Sequence, residues 1–147
     1  MQPFTQKRAN GDVFLWNIEF SVGIASPNKK EDVELVQLGY FAASKNPLFL
    51  PALRPVFEAV VPGAIYTGSP NDPLTLAILA QQKARGGTQD GHVSPIKGTT
   101  YDGKHSWMLN TLINTIFDLA PNDYPRIDRI PQCPPALRAA VAKCFTL

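Results

Sequence analysis

Apolar and polar positions change period several times along the chain. In "DVFLWNIEFSVG" they alternate: Phe14, Trp16, Ile18 and Phe20 fall on one side, with Val13, Leu15, Asn17 and Glu19 opposite. A period of two with aromatic and β-branched residues predicts a half-buried strand or hairpin. "SPN" then offers a fixed φ followed by a residue tolerant of the left-handed region, which predicts a turn. From Asn28 the period lengthens. "NKKEDVELVQLGYFAASKN" places Val33, Val36, Gln37 and Tyr40 on one inward stripe of a helix, flanked by Leu35 and Leu38. Glu31 and Asp32 sit in its first turn, where the helix dipole favours negative charge. Asn46-Pro47 ends it, because a residue before proline avoids the α region.

"PLFLPALRPVFEAVVPG" is apolar but interrupted by Pro51 and Pro55, so it predicts one or two short helical turns. Asp72 is a natural N-cap, Pro73 suits a first helical position, and "LTLAILAQQKAR" continues as a helix that stops at Gly86-Gly87. The longest irregular stretch follows, with turn dipeptides at Asp90-Gly91 and Asp102-Gly103. "SWMLNTLINTIFDLA" is a helix that Ser106 can cap, its core side formed by Met108, Leu109, Leu112, Ile113, Ile116 and Leu119. "PPALRAAVAKCF" is a last helix opened by two prolines. The expectation is a mainly α single domain over 1–147, with an N-terminal strand or hairpin and an extra C-terminal helix.

Composition narrows the function classes. With 147 residues, 44% apolar and 18% charged, the chain is globular and able to bury a sizeable core. The 14 prolines are scattered, consistent with short elements and firm stops. Net charge is only +2 and the basic residues do not cluster, which argues against a nucleic-acid partner, since phosphate neutralisation supplies most of that affinity. No stretch approaches ~20 consecutive apolar residues, so no membrane span is expected. "MQPFTQKRANGDV" lacks the apolar core of a secretory signal, and synthesis in the cytoplasm is expected, with any work in the envelope requiring delivery by a secretion apparatus. Cys133 and Cys144 have no Cys or His neighbours at ligand spacing, so no metal or other cofactor is expected. Two semi-buried thiols are the plain reading of the pair, a disulfide the alternative.

Two phrases go further. "SVG…PN…EDVELVQ" resembles the opening of bacterial peptidoglycan-binding-like domains, in Val22-Gly23, Pro27-Asn28, Asp32-Val33 and Val36-Gln37. The later half of that family is similar to Ala77-Ile78, Gln82, Gly87, Asp90-Gly91, Val93 and Pro95, followed by Leu109-Asn110. The likeness runs over about 22–112, leaving 121–147 as a helical extension. It implies a small helical bundle in which Gln37 and Gln82 each reach backbone groups of a connecting loop, and Gly91 supplies the positive φ of the turn. The sequence departs from the family in three places: Gln81 stands where an aromatic is usual, the insert lengthens the link between helices, and "KGTTYDGKH" adds a further loop.

The resemblance implies recognition of cell-wall glycan or stem peptide without catalysis. An aromatic face and a few hydrogen-bonding groups in a shallow groove suit such a ligand, and the candidates are Tyr40, Gln82, Asp90, His92, Tyr101 and Trp107. Each has a structural alternative. Tyr40 and Trp107 stand at helical spacings that more often mean core; Gln82 and Asp90 suit loop-fixing hydrogen bonds; His92 and Tyr101 lie on loops. A second function class is a protein-binding adaptor that docks through the apolar insert 47–62. A third is a cell-wall hydrolase using Asp90, His92, Asp102 and His105, although neither HExxH nor GxSxG is present.

Overall fold

The computed structural model describes residues 1–98, 100–101 and 107–146. The expected Asp102-Gly103 turn, the Ser106 cap and His105 lie outside these residues. The described residues form a mainly helical fold of five α-helices with an N-terminal hairpin and a second two-stranded sheet.

The hairpin pairs β1 (Gln2–Arg8) with β2 (Gly11–Asn17), in antiparallel register from Gln2↔Asn17 to Arg8↔Gly11. The expected one-sided burial of β2 is corrected here. Leu15 and Asn17, assigned to the outer side, are as buried as Trp16, and Phe20 is exposed. The cause is cover from later segments. Asn17 exchanges two 2.9 Å hydrogen bonds with the backbone of Ile96. Trp16 Nε1 donates to Pro125 O at 2.8 Å, and the Tyr124 hydroxyl donates to Phe14 O at 2.8 Å.

Helix α1 (Lys30–Lys45) is the central rod. Every residue from Asp32 to Tyr40 is buried, so the expected inward stripe widens to almost the whole circumference. Asp32 is not a solvated dipole partner. It is buried, accepts the backbone N–H groups of Glu19 and Phe20, and pairs with the amino group of Met1.

The insert behaves as the prolines require: a 3-10 turn at Pro51–Leu53 runs into α2 (Arg54–Glu58). It covers the core through Phe57 and Val60, the Phe57 ring lying 5.3 Å from Tyr40 and 5.9 Å from Phe49. Helix α3 (Pro73–Arg85) starts and stops where the sequence directs. Asp72 Oδ1 accepts from Leu74 N at 2.9 Å, and Gly86 closes the helix at φ +77°.

Helix α4 (Met108–Leu119) packs on α1. Gly39 lies against Leu112, and Thr115 Oγ1 donates to Gly39 O at 3.1 Å. Further along, the Asn46 side chain meets Asp118, so the two helices run parallel. Helix α5 (Pro135–Cys144) buries Leu137 and Val141, and its Leu137 N–H donates to Glu34 of α1 at 3.0 Å. Arg138 fixes the preceding loop by donating to the carbonyls of Asp128, Ile130, Pro131 and Cys133. Both cysteines are free, Cys133 buried and Cys144 exposed. Among the described residues no helix is long and apolar enough to cross a membrane.

Candidate binding pocket beside Gln82

The site is held by a clasp of two very short strands, β3 (Val22–Gly23) and β4 (His92–Val93), paired Val22↔Val93 and Gly23↔His92. Gly23 sits at φ +129°, and a Cβ there would lie 2.2 Å from Gly91 O, so only glycine permits the approach. Two residues isolated in sequence complete the clasp. Asn28 Oδ1 accepts from Gly23 N at 2.7 Å, while its Nδ2 donates to Gly23 O and Ser26 O, both at 3.0 Å. Gln82, on the last turns of α3, does the same for the opposite loop. Its Nε2 donates to Asp90 Oδ1 at 2.8 Å and to His92 O at 3.0 Å, and its Oε1 accepts from Gly91 N at 3.0 Å. Gly91 adopts φ +76°, as an Asp-Gly turn requires. Gln37 plays the matching part on α1, accepting from Gly63 N and donating to Ala64 O. In both places one amide side chain satisfies backbone groups of a connecting loop.

The clasp leaves a shallow pocket of about 250 Å³, lined by Gln82, Arg85, Asp90, His92, Ser94 and Trp107 among others. Asp90 is oriented from within: besides Gln82, the His92 N–H donates to its Oδ1 at 3.1 Å. Its other oxygen lies 3.4 Å from His92 Nε2. Burial pushes the Asp90 carboxyl upward, but the Gln82 and His92 hydrogen bonds and the imidazole outweigh it and hold the group below its usual range. The pocket therefore presents a fixed carboxylate, an imidazole, a guanidinium, a hydroxyl and an indole in one place.

Four of the six sequence candidates, Gln82, Asp90, His92 and Trp107, line this pocket. The other two do not. Tyr40 is fully buried and donates from its hydroxyl to Gln81 Oε1 at 2.7 Å, so it belongs to the core and offers no surface. Burial also pushes its phenol well above the usual tyrosine range. That contact explains Gln81: the position carries an acceptor because a buried hydroxyl needs one. Tyr101 lies at the hairpin tip, its ring 5.5 Å from the Arg8 guanidinium, beside a separate hollow formed with Asn10 and Asp12. Sequence reasoning missed Arg85, Thr88 and Ser94, which also line the Gln82 pocket. Their only signal is proximity to the Gly86-Gly87 stop and the Asp-Gly turn.

Among the described residues no group of three or more His, Cys, Asp or Glu side chains could hold a metal ion. Comparison of the chain with known protein families, with characterised proteins and with solved structures finds no match.

Proposed function

We propose that this chain is a non-catalytic recognition module for bacterial cell-wall peptidoglycan, with the Gln82–Trp107 pocket as its contact surface. The supporting observation is the convergence of Trp107, His92, Asp90 and Arg85 around one shallow pocket whose loop is locked by Gln82. Sugars carry hydroxyl edges and apolar C–H faces. A fixed carboxylate, an imidazole and a guanidinium answer the first, and an indole answers the second. The two loop-fixing glutamines, Gln37 and Gln82, are also what the resemblance to peptidoglycan-binding-like domains implies. On this reading the protein acts in the cell envelope, reached by way of a secretion apparatus.

The test is co-sedimentation with purified sacculi. Retention is expected to survive moderate salt, since polar and stacking contacts are screened less than exposed charge. Trp107→Ala and His92→Ala are each expected to weaken it about tenfold, the equivalent of ~1.4 kcal/mol. Absence of retention, or its loss on a slight rise in salt, overturns the proposal.

A second reading has its own support. Leu48, Val61 and Ile65 are 91%, 61% and 89% exposed on and beside the insert, more apolar surface than a solvated loop needs. A protein-binding adaptor would use that surface. In the same assay it predicts no retention on sacculi and no effect of Trp107→Ala.

A further inference from the structure

Asp32, in the first turn of α1, is wholly buried, and the charge that answers it is the amino group of Met1, itself buried. Its other partners are neutral: the backbone N–H groups of Glu19 and Phe20 donate to its two oxygens at 3.1 and 3.0 Å. The start of α1 adds only roughly half a positive charge. Lys29 is committed elsewhere, its ammonium lying 2.5 Å from Glu19 and 3.3 Å from Glu31.

This pair sits at the root of the clasp. Phe20 lies two residues ahead of β3, whose Val22 and Gly23 pair with Val93 and His92 in the wall of the Gln82 pocket. Gln2, next to Met1, opens the hairpin register opposite Asn17, and Asn17 holds the Ile96 backbone two residues beyond Ser94. Two short routes thus lead from the amino group to residues that line the pocket.

Removing one member of a buried ion pair leaves the other charge uncompensated, which costs far more than the pair itself contributes. An amide at this nitrogen carries no charge and adds atoms at a buried position. We propose that the charge on the Met1 amino group is a switch for the clasp. A free ammonium locks Glu19 and Phe20 in place and shapes the pocket; acylation of that nitrogen, by a formyl or acetyl group or by a preceding residue, releases both. The requirement is for a charged nitrogen at this place, however the chain end there arises. The effect on recognition rests on the proposed Gln82–Trp107 pocket, whereas the effect on the fold does not.

The experiment places a short Gly-Ser extension before Met1, ending in a protease site that leaves Met1 as the first residue once cut. Melting and amide exchange are followed on the full chain before and after cleavage. Cleavage is expected to raise Tm by about 6–20 °C. It should also slow exchange at Glu19, Phe20 and Gly91 by about a hundredfold. Transamination of the unfolded, cleaved chain turns its amino terminus into a ketone, which removes the charge without added bulk and should return the uncleaved behaviour. In Asp32→Asn the gain on cleavage should largely disappear, since no buried carboxylate then needs a cation. Equal melting before and after cleavage overturns the proposal. So does a ketone-ended chain that behaves like the ammonium form, because bulk rather than charge is then the cause. Sacculus retention that appears only after cleavage supports the coupling to the pocket, and equal retention in both forms overturns it. No retention in either form, with the melting gain present, rejects the wall reading and leaves the switch standing.

Discussion

Replacing Gln82 by methionine keeps the length and most of the volume of the side chain and deletes its hydrogen bonds. Three are lost, to Asp90, His92 O and Gly91 N. The Gly91 N–H lies in a buried setting, and Gly91 O is already committed to Ile24 N at 3.0 Å, so the turn has no easy alternative pairing. At about 1 kcal/mol net for each neutral bond and somewhat more for the one to the carboxylate, the loss is about 3–4 kcal/mol. Against a total of about 5–15 kcal/mol for a domain, that is a large fraction. At ~2–4 °C per kcal/mol for a chain of this size, the melting temperature should fall by about 6–16 °C. The assay is far-UV circular dichroism on heating, with urea unfolding for the free energy and amide exchange at Gly91 as the local probe. Gln132→Met, at an exposed position, serves as the control and should stay within ~0.5 kcal/mol of wild type. A Gln82→Met loss below ~1 kcal/mol, or unchanged protection at Gly91, would refute the idea that this one amide holds the loop.

Gly23→Ala should cost about 2–4 kcal/mol in urea unfolding, since its Cβ meets Gly91 O at 2.2 Å in a left-handed backbone, while Gly87→Ala, with nothing within 4 Å, should be nearly silent. Equal effects at the two glycines would show that the clasp does not set the fold there. Glu34 gives a pH-dependent prediction. Burial lifts its carboxyl above the usual range, although the Leu137 and Ala136 N–H groups pull it down. A raised folded-state pKa means that the stabilisation is complete below the unfolded value of about 4.3 and is lost as pH rises through the folded value. Glu34→Gln keeps an acceptor for Leu137 without the charge, so at pH 7 it should melt at or above wild type, the gap closing near pH 4. A clearly lower melting temperature at pH 7 would reject this.

Local signals were the most legible in the sequence. Asp72, Pro73 and Gly86 bound α3 because caps and stops act over a few residues, and Asp90-Gly91 makes its turn for the same reason. The roles of Gln37 and Gln82 were accessible through the resemblance, since a buried amide beside a loop has little else to do. An N-terminal strand or hairpin was expected, but the span of β1 was not legible, because "QPFTQKR" contains a proline and mostly polar residues and leaves only Gln6 buried. It is a strand because β2 needs a partner. The width of burial on α1 was equally hidden. Helical period identifies one packed side, but α2, α4, α5 and the hairpin segments arrive from distant parts of the chain. Asp32 shows the same limit: its first-turn position suggests the dipole, whereas the fold uses it to satisfy Glu19 and Phe20. The pocket divided along this line. Gln82, Asp90, His92 and Trp107 came from motif and loop position, while Arg85, Thr88 and Ser94 became neighbours only through the clasp.

The β3–β4 ladder joins positions 22–23 to 92–93, and all of α1, α2 and α3 is strung between them. Closing a loop costs free energy that grows only with the logarithm of its length, ~0.6 kcal/mol for each doubling. A dozen residues spliced in beside the outward-facing Ile65 would therefore tax the molecule very little. A reporter or epitope grafted there should ride on the protein while the Asp90 turn keeps its shape.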